Sequence, residues 1–96
     1  MNSREDLLRD YRVALLRSVS RREESSLHAG YELGRAALAG RFSLLEVVRV
    51  HHDVLIEVLR DSPADEAPAL AAAASDFLLE VLGSYDMTHR GSSLTP

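Results

Sequence analysis

Ninety-six residues bound one small domain, too short to bury much of its own surface, and the absence of cysteine excludes disulfide staples, thiolate metal sites and cysteine nucleophiles. A net charge of −4 with interspersed signs, and eleven basic residues that are all arginine, offers no basic stripe for DNA or RNA. No apolar run approaches the roughly 20 residues that span a bilayer, and Met1 to Asp10 is charged with no signal-peptide apolar region, which predicts a soluble cytoplasmic protein without nucleic-acid or membrane partners.

Ser3-Arg4-Glu5-Asp6 has the form of a helix N-cap followed three residues later by a carboxylate, and Leu7, Leu8, Tyr11, Leu15 and Val19 then recur at helical spacing, which predicts a first helix from Arg4 to Ser20. Val13 and Leu16 fall outside that stripe, so the helix offers apolar surface on a second side. A second helix is predicted from Glu23 to Ala39 and ends at Gly40, the residue best suited to the left-handed conformation past a helix. Leu27, Tyr31, Gly34 and Leu38 form its stripe. Ala29, Gly30, Leu33, Ala36 and Ala37 flank it, small residues that let another helix approach closely, and Glu24, His28, Glu32 and Arg35 make a polar strip. Gly34 reads as a packing residue, because a glycine inside a helix costs about 1 kcal/mol relative to alanine.

Ser43-Leu44-Leu45-Glu46 is a capping box that opens a third helix, stopped near Arg60 by Asp61-Ser62-Pro63. Its polar residues Glu46, Arg49, Asp53, Glu57 and Arg60 occupy an arc of only about 80°, which leaves Val48, Leu55 and their neighbours to be covered from several directions. A second copy of the chain is the economical cover. Pro63 to Pro68 reads as an acidic linker. The alanine-rich run and Phe77-Leu78-Leu79-Glu80-Val81-Leu82 then make a fourth helix to about Arg90, closed by Gly91. Its core stripe is Leu70, Ala74, Phe77, Leu78, Val81, Leu82 and Tyr85. Leu79 lies about 200° from Phe77, among Gly83, Asp86 and Arg90, and is expected to be exposed. The domain is placed at residues 1–91, with 92–96 a disordered tail.

Chemistry is sparse in this pattern. Adjacent helical residues point about 100° apart, so His51-His52-Asp53 lacks a shared ligand geometry. Both histidines fall on the apolar arc and read as core or interface side chains, with a pH-sensitive interface as the other use. The pairs His28/Glu32 and Asp86/His89 read as solvated helix faces. Gly30 and Gly34 lack the strand that precedes a phosphate loop, and Ser25, Ser26 and Ser62 mark helix starts or turns rather than a nucleophile elbow. No catalytic residue, metal or cofactor is assigned, and an enzyme is not expected.

The order Tyr11, Glu24-Ser25-Ser26-Leu27, Tyr31-Glu32-Leu33-Gly34-Arg35, Val50-His51-His52-Asp53-Val54-Leu55, Asp76-Phe77-Leu78-Leu79-Glu80-Val81 and Tyr85-Asp86-Met87 resembles the RsbU N-terminal domain family across residues 4 to 90. The resemblance implies an all-α, four-helix subunit in a helix-swapped homodimeric bundle, related in architecture to the KaiA clock-protein domain. It implies a non-catalytic module that binds an RsbT-like switch kinase and so controls a metal-dependent serine phosphatase of the sigma-factor, or general stress, partner-switching system. The alternative is a dimeric leading or sensory module of another signalling protein, such as a histidine kinase. Partner binding is assigned to Glu24, His28, Glu32, Arg35 and Leu79, and the dimer interface to Val13, Leu16, Val48 and Leu55.

Overall fold

The computed structural model describes residues 3–21 and 24–93, and the side chains of 3–19 and 28–91. Among them the chain forms α1 (Arg4–Arg21), α2 (Glu24–Ala39), α3 (Leu44–Arg60) and α4 (Ala67–Ser93), with a short 3-10 turn at Ala64–Glu66, and no strand. Both capping signals act as the sequence suggests. The Asp6 amide donates to Ser3 Oγ at 3.2 Å, and Leu7 N to the Ser3 carbonyl at 3.1 Å. At α3 the box is reciprocal: Glu46 N donates to Ser43 Oγ at 3.1 Å, and Ser43 N to Glu46 Oε1 at 3.3 Å. Two of the amides that a helix start leaves without intrahelical partners are thereby satisfied.

The end of α2 differs from expectation in one informative way. Gly40 does not take the left-handed conformation; Arg41 does, at φ 65°. Arg41 N donates to the Leu38 carbonyl at 2.9 Å and Phe42 N to the Ala37 carbonyl at 3.0 Å, the paired bonds of a Schellman closure. Its position is set by Phe42, which must turn inward to be buried and so puts the reversal one residue before itself. Arg41→Gly is therefore expected to stabilise the domain by about 1 kcal/mol, because it removes the Cβ penalty of the left-handed region. A urea midpoint unchanged or lowered by that substitution would refute the assignment.

The α4 boundaries also move. The expected linker stops short of Pro68, which sits in the first turn of α4, where its missing N–H costs no helical bond. At the far end Gly91 does not close the helix, which continues through Ser93 with no glycine at positive φ. The predicted tail is thus helical at residues 92 and 93, and residues 94–96 lie outside the described ones, as does Glu23. Residues Ala64–Gly91 are also long and apolar enough to cross a membrane by length and composition, which corrects the estimate of apolar runs made from the sequence. The core helix of a soluble protein meets the same test; here 33% of the apolar window is buried, with Leu70, Ala74, Phe77 and Val81 facing the core.

That core is built on Tyr11 and Phe77, both fully buried, with Leu7, Leu15, Val47, Val50, Val54 and Val81 around them. The two rings meet edge to face, 5.3 Å between centroids at 84°. The most extensive helix pairing is α2 on α4. Gly30 faces Phe77, Gly34 faces Val81 and Ser84, and the Tyr85 hydroxyl donates to the Phe42 carbonyl at 2.7 Å. Numbers rise together along both helices, so α2 and α4 run in the same direction, as the second and fourth members of an alternating chain must. The buried stripe of α2 is Gly30, Leu33, Gly34 and Ala37, whereas Tyr31 and Leu38 are only half-buried. The small-residue flank, expected to let another helix approach closely, thus faces α4 together with Gly34 of the stripe, and the Leu27 side chain lies outside the described residues. Helix α1 holds α3 at the surface through Arg4 to Asp53 at 3.1 Å and Arg12 to Glu57 at 2.9 Å. These half-exposed pairs align the helices more than they stabilise them.

Candidate functional site

Inside the bundle the most reactive-looking neighbours are Tyr11 and His51. The Tyr11 hydroxyl lies 2.6 Å from His51 Nδ1, and the rings stand edge-on at 5.6 Å. Burial pushes the tyrosine hydroxyl well above its usual range and pulls the imidazole below its own, the latter helped by the adjacent His52. Both groups are held neutral and spend their polarity on each other. No buried side-chain nitrogen or oxygen among the described residues lacks a partner. Of the two adjacent histidines, His51 is the core residue and His52 is exposed, while Asp53 pairs with Arg4. Among the described residues no group of three His, Asp or Glu side chains is placed to hold a metal ion.

The chemistry of this molecule is on its outside and is apolar. Leu79 is 66% exposed and Met87 63%. They stand one turn to either side of Gly83, over which a Cβ would meet nothing within 4 Å. Sequence periodicity singled out Leu79 and passed over Met87, although the spacing of four residues was the available signal. On α1 Val13 and Leu16 are exposed, and on α3 Leu44, Leu45 and Val48. Scattered singly, such side chains are ordinary; a contiguous patch of them is what marks an interaction surface.

The residues assigned from the sequence do not gather into two patches. His28, Glu32 and Arg35 are exposed along α2, with His28 Nε2 3.7 Å from Glu32 Oε1 and its ring stacked on Tyr31 at 6.1 Å. The Glu24 side chain lies outside the described residues. Leu79 stands about 160° round α4 from Val81, which faces Gly34 of α2, so the apolar anchor and the polar strip occupy different sides of α4. Val13 joins the strip instead: it lines a shallow groove of about 410 Å³ with Ala29, Glu32 and Ala36. Leu16 lines another, of about 520 Å³, with Val19, Val58 and Leu70. Val48 is exposed and Leu55 half-buried on the remaining side of α3.

Residues 9–88 match the family model described as phosphoserine phosphatase RsbU, N-terminal domain. The chain belongs to that family. Comparison with curated proteins gave no match, and comparison with solved structures gave none either. The RsbU N-terminal domain is the regulatory, non-catalytic part of such phosphatases, and the phosphatase activity resides in a separate domain.

Proposed function

We propose that this RsbU N-terminal domain is a cytoplasmic signalling module that homodimerises and docks an RsbT-like switch kinase, and by doing so controls a serine phosphatase in sigma-factor partner switching. The observation that carries the docking role is Leu79, an apolar side chain two-thirds exposed on a helix whose opposite side forms the core. With Met87 and the open space over Gly83 it makes a hydrophobic ledge able to receive a side chain or a crossing helix. Charged residues beside such a ledge select the partner, while the buried apolar anchor supplies most of the affinity. Here the charges are Asp76 and the Asp86–Arg90 pair on α4 and, further round, the strip assigned to Glu24, His28, Glu32 and Arg35 on α2.

Leu79→Asp and Glu24→Arg are expected to leave circular dichroism and oligomeric mass unchanged while weakening kinase binding. For Leu79→Asp the loss is about 2 kcal/mol, or roughly 30-fold in Kd. Titration of each variant with the kinase measures it. Normal binding by Leu79→Asp would remove the anchor from the proposal.

A further inference from the structure

Sulfur occurs at only two positions in this chain. With no cysteine among the 96 residues, a two-electron oxidant finds a sulfur atom at Met1 and at Met87 alone. Met1 lies outside the described residues. Met87 is on α4 and 63% exposed. A methionine is a flexible apolar side chain that commonly fills gaps in a core, and this one is held by no core.

Its surroundings leave the thioether open. In the row of α4 that steps by four residues, Met87 has Gly83 one turn before it and Gly91 one turn after. A Cβ built on either glycine would meet nothing within 4 Å. No side chain of its own row therefore stands over the sulfur, and among the described residues no other helix closes on the row at those two positions. Exposure alone would make Met87 an ordinary oxidisable residue. What distinguishes it is Leu79, 66% exposed two turns away in the same row, at a rise of about 12 Å. The two side chains are the apolar members of the ledge, so a change of polarity at Met87 alters half of the surface a partner would cover.

We propose that Met87 is a redox modification site: oxidation of its thioether to the sulfoxide closes the α4 ledge to the switch kinase, and reduction reopens it. This rests on the proposed docking role of the ledge and adds its regulation. The oxidant is a peroxide or a hypohalous acid. One oxygen atom passes to the sulfur, which loses two electrons, and the oxidant leaves as water or as halide and a proton. A thiol-dependent methionine sulfoxide reductase reverses the step: two thiols become a disulfide and the oxygen leaves as water. The sulfoxide keeps the length of the side chain but carries a strong sulfur–oxygen dipole. On the free domain water solvates that dipole, so the fold is little affected. Covering the ledge strips the water away and opposes association. The chemistry thus acts on docking rather than on the core, from which Met87 is absent.

The test applies hydrogen peroxide to the domain alone and removes it before an RsbT-type kinase is added. Peptide mass spectrometry is expected to place one oxygen atom on Met87 at a rate close to that of free methionine, with circular dichroism unchanged. Calorimetric titration should then give a Kd for the kinase raised at least about tenfold, and treatment with the reductase and dithiothreitol should restore it. Met87→Leu, compared with itself before and after peroxide, should show no change in Kd, which removes Met1 as the cause. A Met87 that stays reduced while free methionine is consumed, an oxidised domain that binds as before, or equal peroxide sensitivity in Met87→Leu would overturn the switch and leave docking at Leu79 intact. A reduced, unaltered domain that binds no folded kinase would overturn the docking reading and the switch together.

Discussion

Gly34→Ala is expected to lower the unfolding free energy by about 3 kcal/mol, the upper end of what inserting one methyl into a packed contact costs. The sign is not what helix propensity gives, since alanine in place of glycine favours a helix by about 1 kcal/mol. Packing decides it. A Cβ at Gly34 would fall on Ser84 Oγ and on the Val81 carbonyl, and 3.0 Å from the Tyr85 amide nitrogen. Two of these three are backbone atoms that cannot swing aside. The third, Ser84 Oγ, is tied to the Tyr31 carbonyl at 2.7 Å and the Val81 carbonyl at 3.2 Å, so its rotation would forfeit the bond that joins α2 to α4. In a domain of this size about 3 kcal/mol lowers Tm by roughly 12 to 24 °C, and thermal unfolding followed by circular dichroism reads it directly. Gly83→Ala is the internal control. It meets nothing within 4 Å and is expected to raise stability by up to about 1 kcal/mol. Equal effects of the two substitutions would mean that α2 and α4 do not touch at Gly34.

Truncation at Tyr11 is the second large effect. Tyr11→Ala empties the centre of the core and is expected to cost about 4 kcal/mol. Tyr11→Phe keeps the ring contact with Phe77 but leaves His51 Nδ1 without its hydrogen-bond partner, at a cost of about 1 to 3 kcal/mol. The same pair gives stability a defined pH window. Because the folded state holds the His51 pKa below its unfolded value, its contribution is fully present above the unfolded histidine pKa and is lost as pH falls towards the depressed folded one. Tyr11 works in the opposite sense. Its folded pKa lies above the unfolded value, so its contribution is complete below about pH 10 and is lost as pH rises further. Urea midpoints should therefore form a plateau between roughly pH 6.5 and 10, with limbs of about 1.4 kcal/mol per pH unit for each group. Tyr11→Phe should flatten the alkaline limb and His51→Gln the acid one. A profile unaltered by both substitutions would contradict the burial of the pair.

What the sequence revealed follows the range of the forces concerned. Ser3 and Ser43 were legible because a cap needs only its own next three residues. Leu79 was legible because one side of α4 is crowded with apolar residues and Leu79 sits opposite them. On α2 the close contact at the small residues was legible, but not which helix makes it, nor that Tyr31 and Leu38 are left half-buried. Glycine and alanine give almost no periodic signal, and their burial is decided by the close approach of Phe77 and Val81 from a helix some fifty residues away. His51 and His52 lie on the same apolar arc, and the choice between them depends on where the Tyr11 hydroxyl arrives from α1. The end of α2 was legible to within one residue. Which residue reverses was settled by the burial of Phe42, a tertiary demand that a local glycine preference does not contain. Two patches were assigned from the sequence, whereas the fold spreads their members over several surfaces: Val13 beside Glu32, Leu16 beside Val58, Leu79 with Met87, Val48 on the outer side of α3, and Leu55 against the core.

The central claim, that this domain is a docking module for a switch kinase, meets its most direct test in calorimetric titration of the unaltered domain with an RsbT-type kinase from the same genome. Saturable binding with one kinase per domain, weakened about 30-fold by Leu79→Asp, is the predicted result. Absence of binding to a folded kinase at concentrations well above the micromolar range would contradict it.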